Sequence, residues 1–206
     1  MFKKREIFEW AFILVILGVI HFGGWQAEVA GFLQRGILLT GILNPDQHVS
    51  DDKAQMASYD LALVSLDGQK LQPEKLKGKV VFLNIWATWC APCVAEMPGI
   101  HQLYQTVNKE EIAFVMVSVD ENTDKLKRFI ERKKYTFPVY LTEAPLPKIY
   151  QTSSIPTTFV ISPQGNIVFR EEGMANYNTE KFREFLYSQA VKTIKPLSDV
   201  SFRVAY

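Results

Sequence analysis

Cysteine is nearly absent from this chain of 206 residues: there are two, at positions 90 and 93. So few cannot build a disulfide-stapled scaffold, which carries many more per length. Charge of one sign is missing too. Lys and Arg number 23 against 22 Asp and Glu, a formal net charge of +1, and this leaves no electrostatic footprint for nucleic acid. Histidine is scarce: His21, His48 and His101 form no ligand pair, so a zinc site lacks its remaining ligands. No internal repeat, low-complexity tract, nucleotide or flavin signature is visible. Apolar residues are plentiful, at 48% with 14 Phe, and they exclude a disordered chain. The length suits one ordinary domain with a modest extension.

The extension lies at the N-terminus. Lys3, Lys4 and Arg5 precede an apolar run from Ile7 to Trp25 in which only Glu9 and His21 are strongly polar. As a helix this run is roughly 28 Å long, about one hydrocarbon core, and Trp10 and Trp25 bracket it as interfacial residues do. A cleavable leader needs small residues at both key positions before the cut; Trp25-Gln26-Ala27 and Glu28-Val29-Ala30 fail, and only a cut after Gly31 is passable. The expectation is a cytoplasmic segment 1–9, a single transmembrane signal anchor 10–25, and a remainder outside the cytoplasm, periplasmic or otherwise extracytoplasmic. Ala27–Leu43 is apolar as well, with Glu28 and Arg35 on a narrow polar stripe. A second span would place Arg35 mid-membrane at roughly 2.5–3.5 kcal/mol, so a membrane-proximal interfacial helix with a polar linker is expected over 26–55.

A folded domain is expected over 56–193, followed by a tail, 194–206, with no assignable role. Asp67-Gly68 marks an N-terminal hairpin between Leu61–Val64 and Lys70-Leu71. Val80–Ile85 and Ile112–Val119 read as buried strands. Between them Pro92 opens a helix that runs to about Val107, with a kink expected at Pro98. Asp124–Lys134 is a charged helix with Leu126, Phe129 and Ile130 on one side. Thr157–Ile161 and Ile167–Arg170 flank a second hairpin, and Thr179 caps a last helix striped by Phe182, Phe185 and Leu186. This order describes an α/β fold, a mixed sheet with helices on both faces.

Cys90-Ala91-Pro92-Cys93 follows a buried strand directly and opens a helix. Unpaired N–H groups and the dipole at that end stabilise a thiolate at Cys90, the form that attacks disulfides. Cys93, one turn on, is placed to resolve the mixed disulfide that results. A purely structural disulfide, a zinc site and a peroxidatic cysteine beside Thr88 are the alternatives. The first closes too small a loop to stabilise much, and the others lack partner residues.

The segment from Val81 to Pro98, VFLNIWATWCAPCVAEMP, resembles the active-site segment of the thioredoxin-like superfamily. Within it the likeness is to the membrane-tethered thiol–disulfide oxidoreductases, the TlpA, ResA and CcmG group, over roughly 59–190. The resemblance implies a thioredoxin-like fold with Cys90 attacking and Cys93 resolving. Ile155-Pro156-Thr157 falls at the family's cis-proline loop, so Pro156 is expected cis and, with Ile155, Trp89 and Pro92, to meet the substrate. Glu96 matches a carboxylate beneath the dithiol and is the expected acid–base group; Asn84 stands where ordinary thioredoxin has a buried aspartate. Trp86 and Trp89 are expected to shield the site, and Val94 and Ala95 to offer clients an apolar surface. No metal and no cofactor beyond the redox-active pair is implied. Partners would be protein disulfides or dithiols and an upstream membrane electron donor. The favoured direction is reduction; an oxidase, an isomerase or a non-catalytic tethered redox sensor are the alternatives.

Overall fold

The computed structural model describes residues 4–23, 25–41, 43–45 and 55–191. Part of the expected linker and the whole tail 194–206 fall outside the described residues. Six strands, β1 (Leu63–Ser65), β2 (Val80–Trp86), β3 (Ile112–Ser118), β4 (Val139–Thr142), β5 (Thr157–Ile161) and β6 (Ile167–Glu172), form one sheet. Its order is β1-β4-β3-β2-β5-β6. The β2–β3 and β3–β4 pairs are parallel, whereas β1–β4, β2–β5 and β5–β6 are antiparallel. Five helices accompany it: α1 (Lys4–Phe22), α2 (Gln26–Leu39), α3 (Ala91–Thr106), α4 (Thr123–Lys133) and α5 (Glu180–Val191).

Central β2 is buried along its whole length because both faces of the sheet are covered. Its residues alternate strictly. Val80, Phe82 and Trp86 join one apolar cluster with Met97 and Ile100 of α3, Leu126 and Phe129 of α4, and Phe182 and Leu186 of α5. Val81, Leu83 and Ile85 join the other, with Leu61, Leu76, Val115, Tyr150 and Phe159. All three α-helices of the domain therefore pack on one face, while 3-10 turns at 73–75 and 148–150 help cover the other. Sheet topology explains this uneven distribution. The chain steps β2 to β3 to β4 in one direction, and two successive right-handed crossovers must lie on the same side. Phe82 stacks on Phe114 at 4.8 Å and meets Tyr177 edge-on at 5.3 Å, directly beneath α3.

Local signals hold where they rest on short-range chemistry. Asn122 caps α4 by accepting the Lys125 N–H at 2.9 Å, and Lys134 ends it at φ +55°. Thr179 accepts the Phe182 N–H at 3.1 Å at the start of α5. The Asp67-Gly68 turn is tight, with Gly68 at φ +85°, but β1 pairs along its length with β4. At Lys70 the hairpin is a single bridge to Val64. α3 continues past Pro98 as one helix.

The N-terminal expectations are changed more. Among the described residues, no helix is long and apolar enough to cross a membrane. α1 spends its first turn on Lys4, Arg5 and Glu6, joins Arg5 to Glu9 at 3.0 Å, and stops at Phe22. Its apolar part is thus shorter than the Ile7–Trp25 run on which a full span was expected. One face of α2 packs on α3. A Cβ added at Gly31 would lie 2.8 Å from the Ala91 carbonyl oxygen and 3.2 Å from the Ala95 nitrogen. Leu38 is buried and Glu28 pairs with Arg132 and Lys133 of α4. Gly31→Val should therefore destabilise the protein by about 1–3 kcal/mol, because backbone must move to admit any side chain. Urea unfolding of the two proteins measures it, and an unchanged midpoint would mean that α2 does not hold this position in solution.

Candidate active site

β2 ends at Trp86 and the chain reaches α3 through Ala87–Cys90. Asp120, just past the end of β3, holds this connection. Its carboxylate accepts the Thr88 backbone N–H at 2.9 Å, the Thr88 hydroxyl at 2.6 Å and the Ser118 hydroxyl at 2.7 Å. Sequence reasoning passed over Asp120. The available signal was its place at the carboxyl end of a buried parallel strand, where sites of open α/β sheets gather.

Cys90 is the N-cap of α3, in extended backbone at φ −88°, ψ 104°, and its Sγ accepts the Cys93 N–H at 3.2 Å. Pro92 lies in the first turn, where no intrahelical N–H is required. The two sulfurs are joined in a disulfide with Cα atoms 5.2 Å apart. Cys93 is wholly buried, whereas Cys90 retains 6% of its surface. Of the pair, only Cys90 thus retains exposed surface. The Ile155–Pro156 bond is cis, and the Ile155 carbonyl oxygen lies 3.7 Å from Cys90 Sγ.

The two tryptophans part company. Trp86 is fully buried against Phe129 at 5.9 Å, a core residue, while Trp89 is 63% exposed on the rim. Trp89 and Ile155 border a groove of about 540 Å³ that continues past Val119, Tyr150 and Ser154. Val94 and Ala95, expected as a client surface, are covered instead, because α2 lies over them through Gly31. The apolar opening beside the dithiol is on the cis-proline side.

Glu96 is buried one turn beyond Cys93. Its Oε1 accepts from Asn84 Nδ2 at 2.9 Å and its Oε2 from the Ala175 N–H at 3.3 Å. The second donor of Asn84 is spent on Thr158 Oγ1 at 2.9 Å, so β2, β5 and α3 are tied together at one polar point inside the apolar cluster. Burial pushes the Glu96 carboxyl up to about 8, against the opposing pull of those two hydrogen bonds. The same burial, with Glu96 nearby, drives the Tyr177 phenol well above its ordinary value.

The profile of the AhpC/TSA family matches residues 52–170, more than half of the chain. The chain belongs to this family. Among its relatives, the thiol-disulfide oxidoreductase ResA of Bacillus subtilis (strain 168) is 36% identical over 170 residues, covering 82% of this chain and 86% of that protein. ResA of Bacillus thuringiensis subsp. konkukian is 28% identical over 187 residues, covering 90% and 97%. In three dimensions the crystal structure of a putative thiol:disulfide interchange protein DsbE from Chlorobium tepidum superposes with a TM-score of 0.56. It is 26% identical and covers 69% of this chain and 98% of its own. This member of the AhpC/TSA family is accordingly a thiol–disulfide oxidoreductase of the ResA/DsbE type, with a thioredoxin-like α/β fold and the Cys90–Cys93 pair.

Proposed function

We propose that the protein is a membrane-tethered reductase of protein disulfides outside the cytoplasm. The observation that carries this reading is the asymmetry of the pair: Cys93 is wholly buried, while Cys90 keeps some exposed surface and lies against Ile155, which borders the groove. Once reduced, Cys90 at the α3 N-terminus has the Cys93 N–H and the helix dipole to stabilise a thiolate. That thiolate attacks a client disulfide, forming a Cys90–client bond and releasing the client's second sulfur as a thiol. Cys93 then gives up its proton and attacks Cys90, so the client leaves with two thiols and the Cys90–Cys93 disulfide is restored. Glu96, three residues on along the same helix, accepts the Cys93 proton in its carboxylate form, and burial makes that carboxylate a stronger base than an ordinary one. The cis-proline loop and Trp89 seat the client segment. Two electrons and two protons must return from a membrane dithiol donor before the next turnover.

The tether is α1. Phe8, Trp10, Phe12, Leu14 and Leu17 are between 55 and 75% exposed, an apolar surface left uncovered among the described residues. The Ala91-Pro92 dipeptide and the likeness to the tethered branch favour the reducing direction. A redox titration of the whole chain in detergent, followed by fluorescence of Trp86 and Trp89, tests it. A two-electron midpoint near the thioredoxin end, roughly −250 mV or lower, is expected. One near roughly −120 to −180 mV would make the protein an oxidant or isomerase.

A further inference from the structure

α2 has two faces. Gly31 and Leu38 turn inward onto the domain. On the other side Trp25, Val29, Phe32, Leu33 and Ile37 recur at helical spacing and, among the described residues, are between 42 and 76% exposed. Trp25 belongs to a second feature as well. With Gly23 it walls a pocket of about 250 Å³ completed by Thr88 and by Lys125, Arg128 and Arg132 of α4. The one acid in that lining, Glu28, is already engaged by Arg132 and Lys133. Lys125 and Arg128, one turn apart, have no ion-pair partner among the described residues. The pocket therefore carries uncompensated positive charge beside an exposed apolar stripe.

Its position is fixed relative to the end of α1. Only residues 23–25 separate α1 from α2, and α2 is held to the domain by the Gly31 contact and the Glu28 ion pairs. At roughly 3.5 Å per residue, the pocket lies within about 10 Å of where α1 stops.

We propose that this face is a seat for an anionic phospholipid leaflet, the α2 stripe entering the interface and Lys125 and Arg128 taking headgroup phosphates. This rests on the tethering by α1 proposed above. A leaflet presents an acyl boundary and a layer of phosphates side by side at a fixed separation, and the stripe with its cationic rim and interfacial tryptophan matches that profile. One consequence reaches the chemistry. Thr88, in the pocket wall, is two residues before Cys90, so the dithiol is held beside the leaflet, close to membrane-proximal partners.

The test uses the whole chain in vesicles of phosphatidylcholine alone and of phosphatidylcholine with about 30% phosphatidylglycerol. Acylation of Lys125 by a water-soluble ester is followed by mass spectrometry, with Lys70 at the β1 turn as reference. Lys125 should react at least about fivefold more slowly in the anionic vesicles, with Lys70 unchanged. The protection should vanish in about 1 M salt and weaken in Arg128→Gln. If the chain resists an alkaline wash from both vesicles yet Lys125 reacts equally fast in both, the lipid seat is wrong and the tether stands. Equal protection in both vesicles would point to a protein cover and overturn the proposal. So would equal protection in phosphatidylcholine with added inorganic phosphate, which would mark a free-anion site. Release from both vesicles by the wash would remove the tether and this inference with it.

Discussion

A Cys93→Ser variant should accumulate as mixed disulfides through Cys90, with turnover falling on the order of 10³-fold or more. Cys93 sits buried on the turn of α3 that follows Cys90, the two Cα atoms 5.2 Å apart, so release of the client is intramolecular. Nucleophiles held in position in this way have effective molarities of about 10⁵ M and above, which no thiol in solution replaces. Serine keeps the volume and removes the attacking sulfur. Because Cys90 is the cysteine of the pair that keeps exposed surface, every adduct should be lost when Cys90 is also replaced. Non-reducing electrophoresis of cells expressing the variant reads this directly. A clean lane would count heavily against client reduction, and adducts that survive loss of Cys90 would mean that they do not form at this site.

The other large effect belongs to Glu96. Its carboxyl titrates near 4.5 when free and is pushed up to about 8 in the fold by burial. Between those values the native state holds a proton that the unfolded chain has released, so stability falls as pH rises. The full contribution is present below about 4.5 and is lost as pH passes through about 8. At about 1.4 kcal/mol per unit, the loss across the window is of the order of 5 kcal/mol. Glu96→Gln removes the titration and should flatten the profile, leaving a smaller constant penalty of about 1–3 kcal/mol because its amide cannot accept from both Asn84 and Ala175. Above pH 8 the variant should be the more stable protein. Urea unfolding at intervals from pH 5 to 9 tests this, and parallel slopes for the two proteins would show that Glu96 does not carry a raised affinity for its proton. The pH profile of turnover should move in the same variant if Glu96 handles the Cys93 proton.

Some elements were legible because their causes are local. Val80–Ile85 is an apolar run with β-branched residues and became β2; Thr179 sits where a cap belongs, and Gly68 and Gly165 occupy turns at φ +85°. β4 was not anticipated, since its four residues are distinguished only by pairing with β1 and β3. Val94 and Ala95 look like free apolar surface in the sequence, because nothing near them names the helix that covers them. Asp120 is 30 residues from Cys90, and only the parallel β2–β3 pairing brings it to Thr88.

The sequence by itself determined the chemistry of the centre: two cysteines one turn apart at a helix start, a carboxylate on the next turn, and a proline loop. The cysteines and the carboxylate follow from spacing along one helix and from residue type, whereas the proline loop, far along the chain, was placed opposite them only by the resemblance to the family. Tertiary structure alone decided which sulfur is reachable, how far Glu96 is driven from its ordinary affinity, and where α2 lies. Each of these depends on what is packed over a group, a sum of contacts between residues distant in the chain. No local pattern encodes such a sum, so burial, and the electrostatics that burial controls, emerged only from the fold.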